Sequence, residues 1–280
     1  MWRARRAAHA SRVRALTADR RARAARGVPD PINDFLYVYY PFSLAERVRW
    51  SPGAGAALAD AGELSCDARF CARGGDGLLR VKPPDARAAA RLRFSLALCH
   101  AVASRAPYFA CHGLHEWAMV YQGAPRHEGV PLRLGAAATD EALRALPLRC
   151  THYDAVRHFS PPAAPLNRAC APTLHTRLAN EQPGCLHVTM DLFKWAQKAQ
   201  PWVPAELAAD AADLAGEARQ VDMRASPYDL AAAGLPPIRV ETAAGRAEYE
   251  AAQRALHAKA APLRARLAGA LERALACTEV

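Results

Sequence analysis

The sequence lacks the features that mark most familiar membrane and enzyme classes. It has no apolar run of the roughly 18–20 residues that cross a bilayer. It also has no GxxxxGKS/T phosphate loop, no GxGxxG after a strand and no GxSxG elbow. The HxE…PCxxC pattern of zinc deaminases is missing as well. These absences argue against nucleotide hydrolysis, Rossmann redox chemistry, esterase chemistry and zinc-dependent deamination.

Lysine is scarce and the cysteines are irregularly spaced. The four lysines are Lys82, Lys194, Lys198 and Lys259, so a Schiff-base nucleophile has few candidates. The eight cysteines contain no CxxC pair, which argues against a zinc ribbon. Because no export signal precedes them, we expect reduced thiols in a cytoplasmic protein. The alternative is a Cys66–Cys71 bridge formed in an oxidising medium.

Positive charge is concentrated at the N-terminus. Residues 1–26 carry nine arginines and one acid, Asp19, which is +8 of the total net charge of +10. Such a segment favours contact with a polyanion such as a DNA backbone, with Arg12 and Arg20 among the contacts. The alternative is a solvated Arg/Ala helix with no partner. Arg-rich, acid-poor residues also occur in mitochondrial presequences, although this segment has few hydroxyl residues.

The apolar patterning predicts a mainly α protein with minor β-structure. At 280 residues the chain can bury a sizeable core. We predict a basic N-terminal helix over 1–27 and a single helix-rich catalytic domain over 28–280. Further helices are predicted over 42–49, 86–104, 108–121, 184–200, 204–216 and 242–276, with one starting near Thr139. Short strands are predicted over 132–134, 148–153 and 238–241, and a loop or small hairpin over 51–82.

The segment 180–195 is the richest in chemistry. On a helix, His187, Asp191 and Lys194 fall at i, i+4 and i+7, so they share one face. A base, an acid and an amine together predict a reaction surface, to which Glu181 adds a substrate contact. The plainer interpretation is a His–Asp pair in a helix with an exposed lysine.

A second group, CHGLHEW at 111–117, combines two histidines with an acid. His112, His115 and Glu116 lie on adjoining turns, a spacing that metal ligands also use. It differs from the HExxH pattern of metalloproteases. Backbone or acid contacts of the two histidines are the alternative to metal binding.

A third group, CTHYDAVRHF at 150–159, precedes a proline-rich stretch. If its first half is a strand, His152 and Asp154 face the same side, with Arg157 just beyond. Asp154 could then activate water or stabilise a developing cation, or it could form an ion pair that orders the strand end. Asn167 could orient a substrate or cap a turn.

Aromatic residues near the N-terminus add stacking candidates. Tyr39 and Tyr40 could stack on an extruded base or pack half-buried. We expect His112, Glu116, Asp154, His187 and Asp191 to converge on one cavity, because buried polar groups need partners.

Several blocks of the sequence carry a resemblance to a known family: DFL at 34–36, YY at 39–40, CHGLHEWAMVY at 111–121, PLN at 165–167, EQPGCLH at 181–187, DM at 222–223 and ASPYDL at 225–230. They resemble a bacterial family of similar length that is commonly labelled 3-methyladenine DNA glycosylase. The chain lacks the Gly-rich turn and downstream Asp of the helix-hairpin-helix glycosylases, so their catalytic Asp is not transferred. The resemblance implies that a damaged or modified base is excised from DNA.

Base excision requires a carboxylate near the sugar, groups that hold the flipped base and cations for the phosphates. Asp154 is the first candidate for the carboxylate and Asp191 the second, with His187 and Glu116 as further catalytic candidates. Candidates for substrate contact are Tyr39, Tyr40, His112, His115, Trp117, Asn167 and Glu181, and for the DNA backbone Arg157, Lys194, Arg12 and Arg20. We expect no cofactor, no resident metal and no obligate protein partner.

Two other classes stay open at the level of sequence. One is a metal-dependent hydrolase that uses His112, His115 and Glu116. The other is a DNA-binding protein without catalytic activity, in which the Arg-rich helix is the main feature. Release of free base separates base excision from simple DNA binding, and metal analysis separates it from metal-dependent hydrolysis.

Overall fold

The computed structural model of the chain is mainly helical, which confirms the predicted fold class. It describes residues 1–28, 30, 34–62, 64, 68–127, 129–169 and 171–277. In the N-terminal half, the helices are α1 (Trp2–Leu16), α2 (Ala18–Ala25), α3 (Phe35–Tyr39), α4 (Leu44–Val48), α5 (Ala86–Ala103), α6 (Leu114–Val120) and α7 (Gly135–Ala145). In the C-terminal half they are α8 (Tyr153–Val156), α9 (Arg177–Asn180), α10 (Leu186–Lys198), α11 (Ala205–Ala225) and α12 (Ala243–Ala276).

The predicted hairpin region forms a small antiparallel sheet. Its strands are β1 (Ala57–Leu58), β2 (Cys71–Arg73) and β3 (Leu79–Val81), in the order β1-β3-β2. Ala72 pairs with Arg80 and Leu58 with Leu79. Cys71 is disulfide-bonded, so the expectation of reduced thiols is wrong for this residue. Cys66, its predicted alternative partner, lies outside the described residues.

The three strands predicted outside this region do not form. Leu132 makes only an isolated bridge to Tyr228, and residues 238–241 end in a turn and pair with no strand among the described residues. Residues 153–156 form α8 instead of ending a strand, so the argument that placed His152 and Asp154 on one strand face is wrong. A strand needs a partner in space, and the local sequence does not supply that information.

The predicted N-terminal helix is divided at Thr17. The hydroxyl of Thr17 donates to the Val13 carbonyl at 2.8 Å, and α2 begins at the next residue. Such hydroxyl bonds to the preceding turn compete with the helical backbone pattern. Gly27 follows with a positive φ of 67°, a conformation that suits glycine and stops a helix.

The chain divides into two compact units. The first comprises Met1–His100, Asp191–Asp213 and Pro262–Val280, and the second Ala101–Met190 and Leu214–Ala261. In the first unit, Trp50, Leu58, Ala61, Leu79 and Ala205 form an apolar cluster, against which Trp2 packs. The core of the second unit includes Leu114, Trp117, Met190, Ile238 and Tyr249, all fully buried. No helix of the described residues is long and apolar enough to span a bilayer.

Candidate functional site

Charged and imidazole side chains form a connected buried network in the second unit, here called the polar network. In order of contact, its members are Asp154, Arg177, Glu181, His152, His187, His115, Asp222, Arg219 and Glu116. All except Asp154 are buried. Glu116, Asp154 and His187, which we expected to converge, therefore belong to one network, although they are separated along it.

The start of α6 places His115 and Glu116 in the interior. Gly113 precedes the helix in the left-handed region, with φ 68°, and a Cβ there would lie 3.1 Å from the Ala225 Cβ. Glycine suits both the φ value and the close approach. Trp117 anchors the helix, since its indole N–H donates to the Ala225 carbonyl at 2.9 Å.

A tight turn sets the start of α10 and hence the position of His187. The Gln182 side chain accepts from the Tyr108 N–H at 2.8 Å and from the Gly184 N–H at 2.7 Å. A Cβ on Gly184 would lie 2.5 Å from the Tyr108 carbonyl oxygen. The Gln253 side chain then donates to the Gly184 carbonyl at 2.9 Å. Hydrogen bonds with Tyr108 and with Gln253 thus hold the turn that the EQPG sequence forms.

The helix α11 contributes an arginine and an acid at i, i+3. Arg219 Nη1 donates to Asp222 Oδ2 at 2.9 Å and to Glu116 Oε1 at 3.1 Å. The other Asp222 oxygen, Oδ1, lies 3.0 Å from His115 Nε2. Burial would raise the pKa of Asp222, but the charges of His115, His187 and Arg219 hold that pKa well below its usual value. Burial alone would lower the pKa of His115, because it disfavours the charged imidazolium. The charge of Asp222 outweighs burial, so the pKa of His115 is raised overall.

Three imidazole rings meet at the middle of the network. The His115 and His187 ring centroids are 4.5 Å apart and nearly perpendicular, whereas His152 stacks on His187 at 5.0 Å. One ligand atom each from His115, His187 and Asp222 lie within 4.8 Å of one another. These three side chains therefore form a group within the second unit that could hold a metal ion.

The alternative ligand set from the sequence, His112, His115 and Glu116, is not among the groups of described residues whose ligand atoms lie close together. Glu116 is bonded to Arg219. His112 has a positive φ of 48°, and its ring faces Tyr249 at 6.4 Å. Burial lowers the pKa of His112, and the charge of Arg246 lowers it further. His112, His115 and Glu116 are thus close in sequence, but their side chains contact different groups.

Asp154 lies at the most exposed end of the network. Its carboxylate accepts from Arg157 Nε at 3.2 Å and lies 3.5 Å from Arg177 Nη1. Arg177 also donates to Glu181, whose Oε1 is 3.8 Å from His152 Nε2. The Asp154 side chain is 13% exposed, compared with 0% for Asp222 and 1% for Glu181. A molecule from solvent can therefore reach Asp154 more readily than those two acids.

Three free thiols lie close to the imidazole rings. Cys111, Cys150 and Cys185, together with His115 and His187, line a void of about 10 Å³. Burial raises the pKa of the Cys150 thiol to about 12 and that of Cys185 well above its usual value. These cysteines are protonated at neutral pH, which makes them poor nucleophiles.

Two of the predicted substrate contacts, Asn167 and Trp117, make structural contacts within the second unit. The Asn167 side chain accepts from the Cys150 N–H at 2.9 Å and donates to its carbonyl at 3.0 Å, so it holds the turn before α8. Trp117 is fully buried, so it offers no ring face for stacking on a base in this structure.

Three residues predicted for the site, Tyr40, Asp191 and Lys194, contact one another within the first unit. The Tyr40 hydroxyl donates to Asp191 Oδ1 at 2.7 Å, and Lys194 Nζ lies 3.6 Å from Asp191 Oδ2. Tyr39 stacks on Phe35 with ring centroids 5.3 Å apart. Asp191 and Lys194 lie with His187 on α10, as predicted, but the division between the units falls between Met190 and Asp191.

Some of the N-terminal arginines are paired within the first unit. Arg12 bonds Asp210 and Asp213 on α11, and Arg20 Nε lies 3.6 Å from Asp34. Arg14, Arg21 and Arg26 are exposed. Some arginines of this segment therefore pair with acids of the first unit, whereas others are exposed to solvent.

The first unit also holds a cavity of about 520 Å³. Its lining combines the aromatic residues Phe42, Trp50 and Phe70 with the basic residues Arg49, Arg69 and Arg91. This volume is in the range of small-molecule sites, and aromatic rings beside arginines suit a flat anionic ligand.

Sequence reasoning missed the residues that partner the predicted ones. Asp222, Arg219 and Arg177 were not among the candidates, although Asp222 lies in one of the family blocks. The i, i+3 spacing of Arg219 and Asp222 on α11 is a signal that could have paired them, although α11 carries other charged residues, such as Asp210 and Asp213, at the same spacing. Comparison with family models, with curated proteins and with solved structures gives no match for this chain.

Proposed function

We propose that this protein is a hydrolase that removes a damaged or modified base from DNA by cleaving its N-glycosidic bond. The observation that carries the proposal is the polar network, eight of whose nine members are buried. Burying ions is costly, on the order of several kcal/mol each. Groups whose pKa values are shifted by burial and by close charges are common at catalytic sites. The choice of DNA as the substrate rests on the family resemblance.

Asp154 is the preferred catalytic carboxylate. Cleavage of an N-glycosidic bond builds positive charge on the sugar, and a nearby carboxylate stabilises that charge and can activate water. Arg157 and Arg177 place positive charge beside the Asp154 carboxylate. Its partial exposure also favours it over Asp222 and Glu181.

Asp191 is the second candidate. It is 1% exposed and accepts a hydrogen bond from Tyr40, so substrate would have to displace Tyr40 or Lys194 to reach it. An inward-facing carboxylate held by a phenol and an ammonium is suited to positioning those groups. We therefore place Asp191 behind Asp154.

Two features of the first unit support DNA as the ligand. Arg14, Arg21 and Arg26 present positive charge to solvent, which suits phosphate contacts. The cavity walled by Phe42, Trp50 and Phe70 offers aromatic rings, on which bases commonly stack. Both features fit a nucleic acid better than a neutral small substrate.

The test compares Asp154→Asn with Asp191→Asn on DNA that carries a removable base. We expect Asp154→Asn to fold and to bind DNA, but to release base about 10²-fold more slowly or worse, because an acid–base group has been removed. Asp191→Asn should have the smaller effect. Full activity in both variants would refute the carboxylate assignment.

The same substrates distinguish hydrolysis from Schiff-base chemistry. Hydrolysis predicts that borohydride leaves no covalent protein–DNA complex. A trapped complex that disappears in Lys194→Ala would instead assign the reaction to an amine nucleophile.

A further inference from the structure

We propose that His115, His187 and Asp222 bind one divalent first-row transition ion. The three side chains come from α6, α10 and α11 and are all buried. Ions with bonds of about 2.0–2.2 Å bring their ligand atoms to within about 4.4 Å of one another. The ligand atoms here lie within 4.8 Å of one another, which is close to that requirement.

The strongest indication is the contact between His115 and Asp222. His115 Nε2 and Asp222 Oδ1 are 3.0 Å apart, yet neither atom has a hydrogen-bond partner of acceptable geometry among the described residues. Both atoms are buried, and unsatisfied buried polar atoms are rare in folded proteins. Two atoms that lie this close without forming a hydrogen bond have the arrangement of two ligands of one ion.

The same distance indicates the coordination geometry. Two ligand atoms 3.0 Å apart, each about 2.05 Å from an ion, subtend an angle of about 94° at that ion. This angle is closer to the 90° of octahedral geometry than to the tetrahedral angle. Two imidazoles and one carboxylate are a donor set that suits Fe²⁺, and such nitrogen and oxygen donors also accept Mn²⁺ and Zn²⁺.

The surroundings of Asp222 provide the support that metal ligands usually have. One carboxylate oxygen, Oδ2, accepts from Arg219, which in turn is held by Glu116. The other oxygen, Oδ1, remains for the ion. Outer partners of this kind fix the orientation of a ligand and adjust its charge.

A small void lies beside the two imidazoles. The void of about 10 Å³ is lined by His115 and His187 and is bounded by Cys150 and Tyr249. That volume is about the smallest that holds one water molecule. Because three protein ligands do not fill an octahedral shell, water in this void could complete part of it.

The test is a metal titration of the full-length protein. After removal of bound metal, wild-type protein should bind about one equivalent of Co²⁺, with the weak visible absorption typical of five- or six-coordinate cobalt. Parallel titrations with Zn²⁺, Mn²⁺ and anaerobic Fe²⁺ identify the preferred ion. Asp222→Asn and His187→Ala should bind at least about 100-fold more weakly, and Arg219→Lys about 10-fold more weakly, in line with outer-partner effects.

His175→Ala is the matched control, because it removes an exposed histidine of the same unit. It should bind the ion as the wild type does. The proposal is overturned if wild-type protein binds none of the four ions, or if folded Asp222→Asn binds them with unchanged affinity. Should Asp222→Asn fail to fold, anomalous scattering from cobalt-soaked crystals of the wild type decides whether the ion lies between His115 and Asp222.

The titration is independent of base removal. Stoichiometric metal binding without release of any base would refute the proposed function and leave the site standing. Base release by a protein that binds no metal would refute the metal site and leave the proposed function standing.

Discussion

At the scale of single residues, the described ion pairs of the second unit differ in how far their side chains are exposed to solvent. Arg133 donates to both oxygens of Glu241, at 2.9 and 3.0 Å, with side chains only 9% and 16% exposed. Arg254 and Glu250 form a pair at 60% and 38% exposure. Exposed pairs are screened by water, whereas a shielded bidentate pair is not. The two pairs should therefore contribute differently to stability.

We predict that Glu241→Gln destabilises the protein by about 1–2 kcal/mol at pH 7. Burial opposes ionisation, but the hydrogen bond from Arg133 lowers the pKa of Glu241 overall. A lowered folded pKa means that the stabilisation is complete above the unfolded value of about 4.3. It is lost as pH falls through the folded value. Urea unfolding at several pH values measures the difference.

The control for this prediction is Glu250→Gln. Because its pair is exposed, it should change the free energy of unfolding by less than about 0.5 kcal/mol. An equal loss in the two variants, or a Glu241→Gln effect that persists at pH 2, would contradict the account.

At the scale of elements, the turn before α10 determines where His187 lies. Gly184 approaches the Tyr108 backbone so closely that a Cβ would meet the carbonyl oxygen at 2.5 Å. We predict that Gly184→Ala costs about 1–3 kcal/mol, as overpacking does. It should also disturb the network through His187. Thermal unfolding measures the cost.

Gly216 provides the opposite case on α11. A Cβ there would meet nothing within 4 Å, so Gly216→Ala should stabilise the helix by about 0.5–1 kcal/mol. Destabilisation by both substitutions would show that close approach is not what distinguishes Gly184.

The N-terminal helices should contribute to DNA affinity through their exposed arginines. Deleting residues 1–26 would also remove Trp2 from the apolar cluster and Arg12 from its acids, so substitution is the cleaner test. Replacing Arg14, Arg21 and Arg26 with Gln should lower the log–log salt slope of DNA binding by up to about 2.7, because each phosphate that an arginine neutralises contributes about 0.9 to that slope.

Three exposed arginines on other helices, Arg87, Arg93 and Arg254, supply the control. Their replacement by Gln changes the net charge equally, so a specific interface predicts a smaller change in slope. Identical slopes for the two triple variants would assign the effect to net charge alone.

At the scale of the whole molecule, local patterns predicted the helices and missed the long-range partners. Helix α5 matches its prediction within a residue because helical periodicity is local. Helix α11 runs nine residues past its predicted end at 216, to Ala225. The strand predicted at 132–134 reduces to a bridge between Leu132 and Tyr228, a partner that no local window contains.

The candidate site shows the same division. His115, Glu116, His187 and Asp154 stand out in the sequence because each lies in a short segment where several titratable residues cluster. Their partners Asp222 and Arg219 are about 100 residues further along than His115 and Glu116, and only the packing of α6 near α11 joins them. Sequence thus identified several members of the polar network, whereas the contacts between them required the fold.

The central claim is that this protein releases a free base from DNA. The most direct measurement is mass spectrometry of the low-molecular-weight products after wild-type protein is incubated with a panel of DNAs that carry damaged or modified bases. We predict that one or a few members of the panel yield free base, and that Asp154→Asn reduces the yield by about 10²-fold or more. Absence of free base from every member, with protein that is folded and binds DNA, would contradict the proposed function.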